Sequence, residues 1–514
     1  MLLINKIGLI AVFSAFFLPP FSACAKINDV GSDTHNRFKN TAIQIDGLPE
    51  LGTASLGVTT GLPLTLWKGA DISKLTPKIL KIANTPLTPA MQNLFIRLMM
   101  TDTGSHSGFP IETRLKALGH IGAWDEIIKL IDLIPPAKQT VDIKKQKAET
   151  LFLSGNIHEA NKLAQSLPLP QWKNQMHLAT VIGSGDKTGA ELIFATGLET
   201  NDWDELTTVL GKKLLQNRTV QWPEKIVLEP YHIHMAAALG NNFPWEKAQL
   251  TLPIKKALIK LETTPIDKRI SWAEQTATPD IIARLYQMAT QDASSPRTVL
   301  FKNITHEKNP EKLVPLLNDY LDTAKKDGLF IQLSAVILPY LNRVPTDKKT
   351  ADLGFNAAQV YALNNNLDLA YAWVKTLENA DNRTHQNQSI MLAPLMQIMG
   401  GGHDIVADKV LRTCKREQTP YCHHFLSQTT PNISAHNMDI LFDTNWKNKN
   451  TFPSLTHTVL TRQINNGSLG NALIYALSAL QQSSQFEPSI IEALKTVHPV
   501  AIVRPLIIER HLYQ

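Results

Sequence analysis

From about residue 71 onward, apolar side chains recur with the spacing of amphipathic helices, and no strand-length run of alternating apolar and polar residues recurs. A period near 3.6 gathers apolar residues onto one helix face, whereas a half-buried strand needs a period of two. The chain is therefore predicted to be all-α. One short pattern returns between the helical stretches. A residue suited to closing a helix is followed, five positions later, by an apolar or small residue that opens the next helix. The copies are Gly122 with Ile127, Gly155 with Ala160, Gly185 with Ala190, Gly402 with Ala407 and Gly467 with Ala472, with Asn365 and Ala370 as a variant.

The segment Ala148 to Ala160 shows the physical logic. The first helix is predicted to end at Ser154, and Gly155 takes the left-handed conformation that closes it. Asn156 is placed to cap the next helix, with Glu159 three residues on completing a capping box. Ala160 is small enough for two helices to approach closely. Asp186 after Gly185 and Ser468 after Gly467 repeat the cap. Residues 26–70 differ. They carry Gly47-Leu48-Pro49 and Leu62-Pro63 and hold no helical period, so they read as a loop-rich leader packed on the first helices through Leu62, Leu64 and Trp67.

These positions resemble the tetratricopeptide repeat. That family places a small residue and then an aromatic residue or leucine in the first helix, glycine at the turn, and alanine early in the second. Ala358, Tyr361, Ala370 and Val374 fall at this spacing, as do Ala148, Leu151, Gly155, Ala160 and Ala164, and Leu178, Val181, Gly185 and Ala190. Gly122, Gly155 and Gly185 lie 33 and 30 residues apart, and Asn365 and Gly402 lie 37 apart, close to the family's period of about 34. The resemblance covers about half the chain. The period drifts, Trp203-Asp204-Glu205 echoes Trp124-Asp125-Glu126 half a unit out of phase, and residues 205–340 are helical without clean repeats. It implies a right-handed α-solenoid of antiparallel helix pairs over residues 71–514. The stacked units would form a concave surface for a protein or peptide partner.

The N-terminus changes the expected address. Lys6, the apolar run Ile7 to Leu18, the breakers Pro19 and Pro20, and the small residues of Ala23-Cys24-Ala25 read as a cleavable signal over residues 1–25. The apolar run is too short for a comfortable membrane anchor. Phe21-Ser22-Ala23-Cys24 also resembles a bacterial lipobox with Phe21 in place of an aliphatic residue, so lipidation of Cys24 and a peripheral outer-membrane tether stand as the alternative to a free periplasmic chain. No other run has the length of a membrane span. Charge adds little: Lys and Arg number 51 against 45 Asp and Glu. The basic residues are dispersed, with no concentrated stripe for nucleic acid.

Candidate chemistry is sparse. In an exported chain Cys414 and Cys422 read as a disulfide clipping a short loop, worth about 2–3 kcal/mol. With His403, His423 and His424 they also offer zinc ligands, but their spacing is wider than metal motifs use, and the haem-attachment spacing is absent. His232 and His234 sit two apart and would point to different faces of a helix, which argues against a chelating pair. Gly400-Gly401-Gly402 lacks the Gly-Lys-Ser/Thr ending of a phosphate loop. Neither Gly-x-Ser-x-Gly nor His-Glu-x-x-His occurs. Trp67, Trp124, Trp203, Trp245, Trp272 and Trp373 read as packing anchors. No catalytic, metal or cofactor site is assigned. The expectation is an exported scaffold that binds a protein or peptide in the bacterial envelope. The alternatives are a peptidoglycan-binding or -cleaving protein, though the Glu-Ser dipeptide of lytic transglycosylases is absent, and a lipid-tethered assembly factor at the outer membrane.

Overall fold

The computed structural model describes residues 57–63, 65–101, 109–290, 295–398, 469–482 and 503–512, together with residues 460, 490 and 494. All belong to one compact unit, Leu51–Gln514; the other unit, Met1–Glu50, lies outside the described residues. The signal segment, Cys24, Leu64, Gly402, Ala407, Cys414, Cys422, the nearby histidines, Gly467 and Ser468 also lie outside them.

The protein is mostly helical, with almost no strand. The first half contains α1 (Ile72–Ala83), α2 (Pro89–Met100), α3 (Ile111–His120), α4 (Trp124–Asp132), α5 (Val141–Ser154), α6 (Ile157–Gln165), α7 (Pro170–Gly183), α8 (Lys187–Glu199), α9 (Glu205–Leu214), α10 (Ile233–Leu239) and α11 (Leu252–Lys260). There follow α12 (Ile266–Thr276), α13 (Pro279–Met288), α14 (Pro296–His306), α15 (Pro310–Lys326), α16 (Phe330–Ser334), α17 (Leu338–Leu341), α18 (Gly354–Leu363), α19 (Leu367–Glu378), α20 (Arg383–Ile398), α21 (Leu469–Gln482) and α22 (Arg504–Leu512). Two-residue strands, β1 (Ile226–Val227) and β2 (Ala248–Gln249), pair in parallel.

Why the helices stop where they do is visible at the turns. Gly122, Gly155, Gly185 and Asn365 all have positive φ. At Gly155 the glycine N–H reaches the Phe152 carbonyl and the Asn156 N–H reaches the Leu151 carbonyl, which satisfies two carbonyls that the helix end leaves bare. The same pair of bonds recurs at Gly122, Gly185 and Asn365, and again at Gly328, inside the stretch whose repeats were illegible. Five residues after these turns, Ile127, Ala160, Ala190, Leu333 and Ala370 are buried. Starts are set by side-chain caps. Asp186 accepts from the Gly189 N–H and Asn366 from the Leu369 N–H. Asn156 differs from expectation: its amide turns back to the Ser154 hydroxyl and makes no cap bond, so the capping box with Glu159 does not form.

Consecutive helices pack on one another, as α5 does on α6 and α18 on α19. Two buried apolar clusters result. One runs from Trp124 to Met396 and contains Phe194, Tyr286, Tyr320 and Trp373. The other joins Leu62, Trp67, Phe95 and Phe109 to α21 through Ala472, Leu473 and Leu477. All six tryptophans named above are buried. The chain then closes on itself. Helix α21 packs on α1, and α22 packs on α2, α18 and α20. Leu506 and Ile507 of α22 enter the second cluster while Ile508 enters the first, so this one helix belongs to both cores.

Closure demands a glycine at one point. The Gly470 N–H donates to the Leu66 carbonyl at 2.8 Å. A Cβ there would lie 2.3 Å from the Trp67 ring and 2.7 Å from the Leu66 carbonyl oxygen, which is backbone and cannot rotate away. Gly470→Ala is therefore expected to destabilise the fold by about 1–3 kcal/mol through overpacking, measured as a lower midpoint of denaturant unfolding against the parent protein.

Candidate functional site

Where α22 crosses between the two cores it helps enclose a cavity of about 530 Å³. The walls come from positions far apart in sequence. Helix α2 contributes Gln92, Asn93 and Ile96, α4 contributes Glu126, and α11 contributes Lys256. The link from α12 to α13 brings Gln275 to Pro279, α16 brings Ile331 and Gln332, the end of α18 brings Leu363 and Asn364, and α22 brings Glu509. The wall is thus rich in carboxamides, each of which both donates and accepts hydrogen bonds. A second hollow, about 310 Å³, lies beside Gly240 and Arg269. The Arg269 Nε is held by the Ile259 carbonyl at 2.9 Å, and the described lining has fewer carboxamides than the first cavity, which makes this hollow the poorer candidate.

Glu509 is the unusual member of the wall. It is 6 % exposed, and its Oε1 accepts from the Ala90 N–H at 2.8 Å. That N–H belongs to the first turn of α2, where helix donors have no internal partner and the helix dipole favours negative charge. Its Oε2 has no hydrogen-bond partner. Burial pushes the carboxyl up to about 7, although the Thr88 hydroxyl and the Ala90 N–H favour the anion. Gln332 Oε1, also on the wall, is likewise buried without a partner.

Lys256 is tied down. Its Nζ donates to the Ile121 carbonyl at 2.8 Å, closing the C-terminal end of α3. Burial draws the ammonium down to about 8, partly offset by Glu126. The left-handed turn at Gly122 makes this possible, because a Cβ there would sit 3.0 Å from Lys256 Cδ and 3.3 Å from Pro253 Cα.

The other polar clusters hold helices together. Asp204 caps α9 through the Thr207 N–H at 2.6 Å and accepts from Gln175 and Tyr231. His232 Nε2 stands 3.3 Å from it and 3.1 Å from the Thr207 hydroxyl, while Nδ1 accepts from the Glu229 N–H. Burial alone would raise the Asp204 carboxyl, but the bonds from His232 and Thr207 hold it well below the usual range. His234 instead faces Gly183 and the Phe152 ring, and burial lowers it to about 4. Arg297 bridges Glu274 at 2.6 Å and Asp327, and the Tyr286 hydroxyl donates to Glu274.

The turn and packing residues predicted from sequence build the scaffold rather than the cavity. Gly122, Gly155 and Gly185 form turns. Ala160, Ala190, Ala370 and Ala472 are buried, and the Tyr361 hydroxyl, on a buried ring, donates to Asn342 at 2.8 Å. None of them lines the cavity. Sequence reasoning missed Glu509, Gln332 and Lys256. One signal for Glu509 was there: an acid set directly after the apolar run Leu506-Ile507-Ile508. Among the described residues, no cluster of ligands fit for a metal ion occurs and no helix is long and apolar enough to cross a membrane. No protein-family model matches the chain, and neither a curated protein nor a solved structure is significantly similar to it.

Because Glu509 binds its proton more tightly in the fold than in the unfolded chain, its contribution is full below about pH 4.5 and is lost as pH rises through 7. Glu509→Gln keeps an acceptor for Ala90 and has no proton to lose. Stability of the parent is expected to fall relative to this variant by up to about 3 kcal/mol between pH 5 and 8, read from denaturant unfolding across that range. Parallel curves for the two proteins would show that Glu509 is not the titrating group.

Proposed function

We propose that this chain is an exported helical-repeat scaffold that holds a segment of a protein or peptide partner in the bacterial envelope. The observation that carries the reading is the cavity wall. Gln92, Asn93, Gln275, Gln332 and Asn364 surround one space of peptide-binding size. A polypeptide main chain offers N–H and C=O groups in alternation, and carboxamides answer both. The wall includes no aromatic ring, the usual platform for a sugar, which favours a peptide over envelope glycan. We further propose that the helix pairs stack antiparallel as a right-handed solenoid related to tetratricopeptide repeats. The recurring left-handed turn and the buried apolar or small residue five positions on support this. Export rests on Lys6, the apolar run to Leu18 and the Ala23-Cys24-Ala25 site, with a bridge between Cys414 and Cys422 in the oxidising compartment.

A photo-crosslinking amino acid placed at Asn93 or Gln275 in living cells is expected to capture polypeptide, with the adduct mapping to one recurring segment. The same group at Leu192, 70 % exposed and off the cavity wall, is expected to capture nothing specific. Glycan fragments at the cavity positions, or polypeptide only at Leu192, would overturn the assignment. The mass of the mature N-terminus checks the address: a chain starting at Lys26 is expected, and a lipid-bearing Cys24 would make it a tethered protein instead.

A further inference from the structure

Two residues that line the cavity, Glu509 and Gln332, each carry a buried oxygen without a hydrogen-bond partner, Oε2 and Oε1, and the nearest help to the Glu509 carboxyl comes from the Thr88 hydroxyl and the Ala90 N–H. Leaving such groups unpaired costs about 1–3 kcal/mol each, more for a charged one. Such a group calls for an explanation, and water, an ion or a bound partner can each supply the missing donor. Among the described residues no ion pair involves Glu509, and Arg504, five positions earlier on α22, leaves its own buried Nε without a partner. Among the described residues of the wall the basic side chain is Lys256, whose Nζ is held at the end of α3 by the Ile121 and Gly122 carbonyls. The helices packed on α22 do not fill the gap either. Arg97 of α2 turns to the Thr60 carbonyl, α18 offers no basic residue, and His385 of α20 pairs with Asp352 at 3.0 Å.

From this pairing of vacant acceptors we propose that the cavity receives the cationic end of a lysine or arginine side chain of the bound peptide, with Glu509 and Gln332 as its acceptors. An ammonium brings three N–H donors and a guanidinium five, whereas both waiting atoms accept. A charge-assisted bond to Glu509 would be roughly twice as strong as a neutral one. The remaining wall carboxamides then serve the main chain on either side of the basic residue. This inference rests on the peptide-binding reading and adds the identity of the anchoring side chain.

Pairing has a second signature. A cation beside Glu509 favours its anion, so binding near pH 7 must expel part of a proton. Glu126 and Lys256 also line the cavity, so the source of that proton has to be assigned by substitution.

The test is calorimetric titration of the full-length protein at pH 7 with three blocked tripeptides, Ac-Gly-Arg-Gly-NH2, Ac-Gly-Lys-Gly-NH2 and Ac-Gly-Gln-Gly-NH2, in two buffers of different ionisation enthalpy. The basic peptides are expected to bind at least about tenfold tighter than the glutamine peptide, the gain of one charge-assisted bond, and to release a fraction of a proton. Glu509→Gln is expected to erase both the preference and the release. Gln332→Leu is expected to weaken basic peptides by several fold, in line with one lost hydrogen bond, while leaving the proton release intact. Equal affinity for all three peptides, or a preference untouched by Glu509→Gln, overturns the cation site but leaves the peptide scaffold standing. Absence of binding by any of the three at millimolar concentration overturns the cation site, and photo-crosslinking at Asn93 then decides separately whether the scaffold reading survives.

Discussion

The burial of α22 between two apolar cores is the constraint on which the remaining architecture depends. Contacts between helices that are neighbours in sequence give a mostly helical chain no reason to bring its first and last described helices together. Here those helices meet, because Leu506 and Ile507 complete the cluster of the first helices while Ile508 completes the cluster of the later ones. The energetics favour closure despite an awkward passenger. Each fully buried aliphatic side chain contributes about 1.5–3 kcal/mol. Three of them outweigh the cost of up to about 3 kcal/mol implied by the raised carboxyl of Glu509. The bond from Ala90 then fixes the register of α22 against the start of α2. The entropy of closing so long a chain grows only with the logarithm of its length, so distance along the sequence is a small obstacle.

How much of this was legible follows from which forces are local. The left-handed turn is local, and glycine announces it at positions 122, 155 and 185. Asn201 also takes positive φ, yet nothing distinguishes it from the chain's many other asparagines. Gly328 closes a helix in the same way, with Leu333 buried five positions on, but it stands in residues 205–340, where no clean repeat of fixed period flags it. Local chemistry misled in one place. Asn156 has the right identity for a cap, but its amide found the Ser154 hydroxyl instead, a competition that side-chain polar groups near helix ends commonly win.

The cavity was not legible, and the reason is physical. Helical periodicity says which face of each helix is buried; it carries no information about which distant helix covers that face. Gln92, Lys256, Gln332 and Glu509 become neighbours of one space only through tertiary closure. Gly470 illustrates the same limit. In sequence it is a helix-weakening residue within a good helix, and only the approach of Trp67 and the Leu66 carbonyl gives it a reason.

The treatment of buried polar groups elsewhere in the fold sharpens the meaning of that cavity. Asp204 collects bonds from Thr207, Gln175 and Tyr231, with His232 close by, and Glu274 is matched by Arg297 and Tyr286. These networks are costly to desolvate and stable only when complete, and their components lie within about thirty residues of one another, from α7 to the start of α10 and from α12 to α14. Isolated unpartnered atoms do occur, at Trp124 Nε1 and Gln359 Oε1, but neither lines the cavity. Glu509 and Gln332 combine what those lack: their residues line one cavity, both atoms are acceptors, and one belongs to a carboxylic acid. A sequence selected for stability alone would gain from an apolar residue at position 509, continuing the run Leu506-Ile507-Ile508. Retaining an acid in the helix that closes the fold makes physical sense if the missing donor comes from outside the chain. In that case binding of the partner would strengthen the same contact that holds the two ends together.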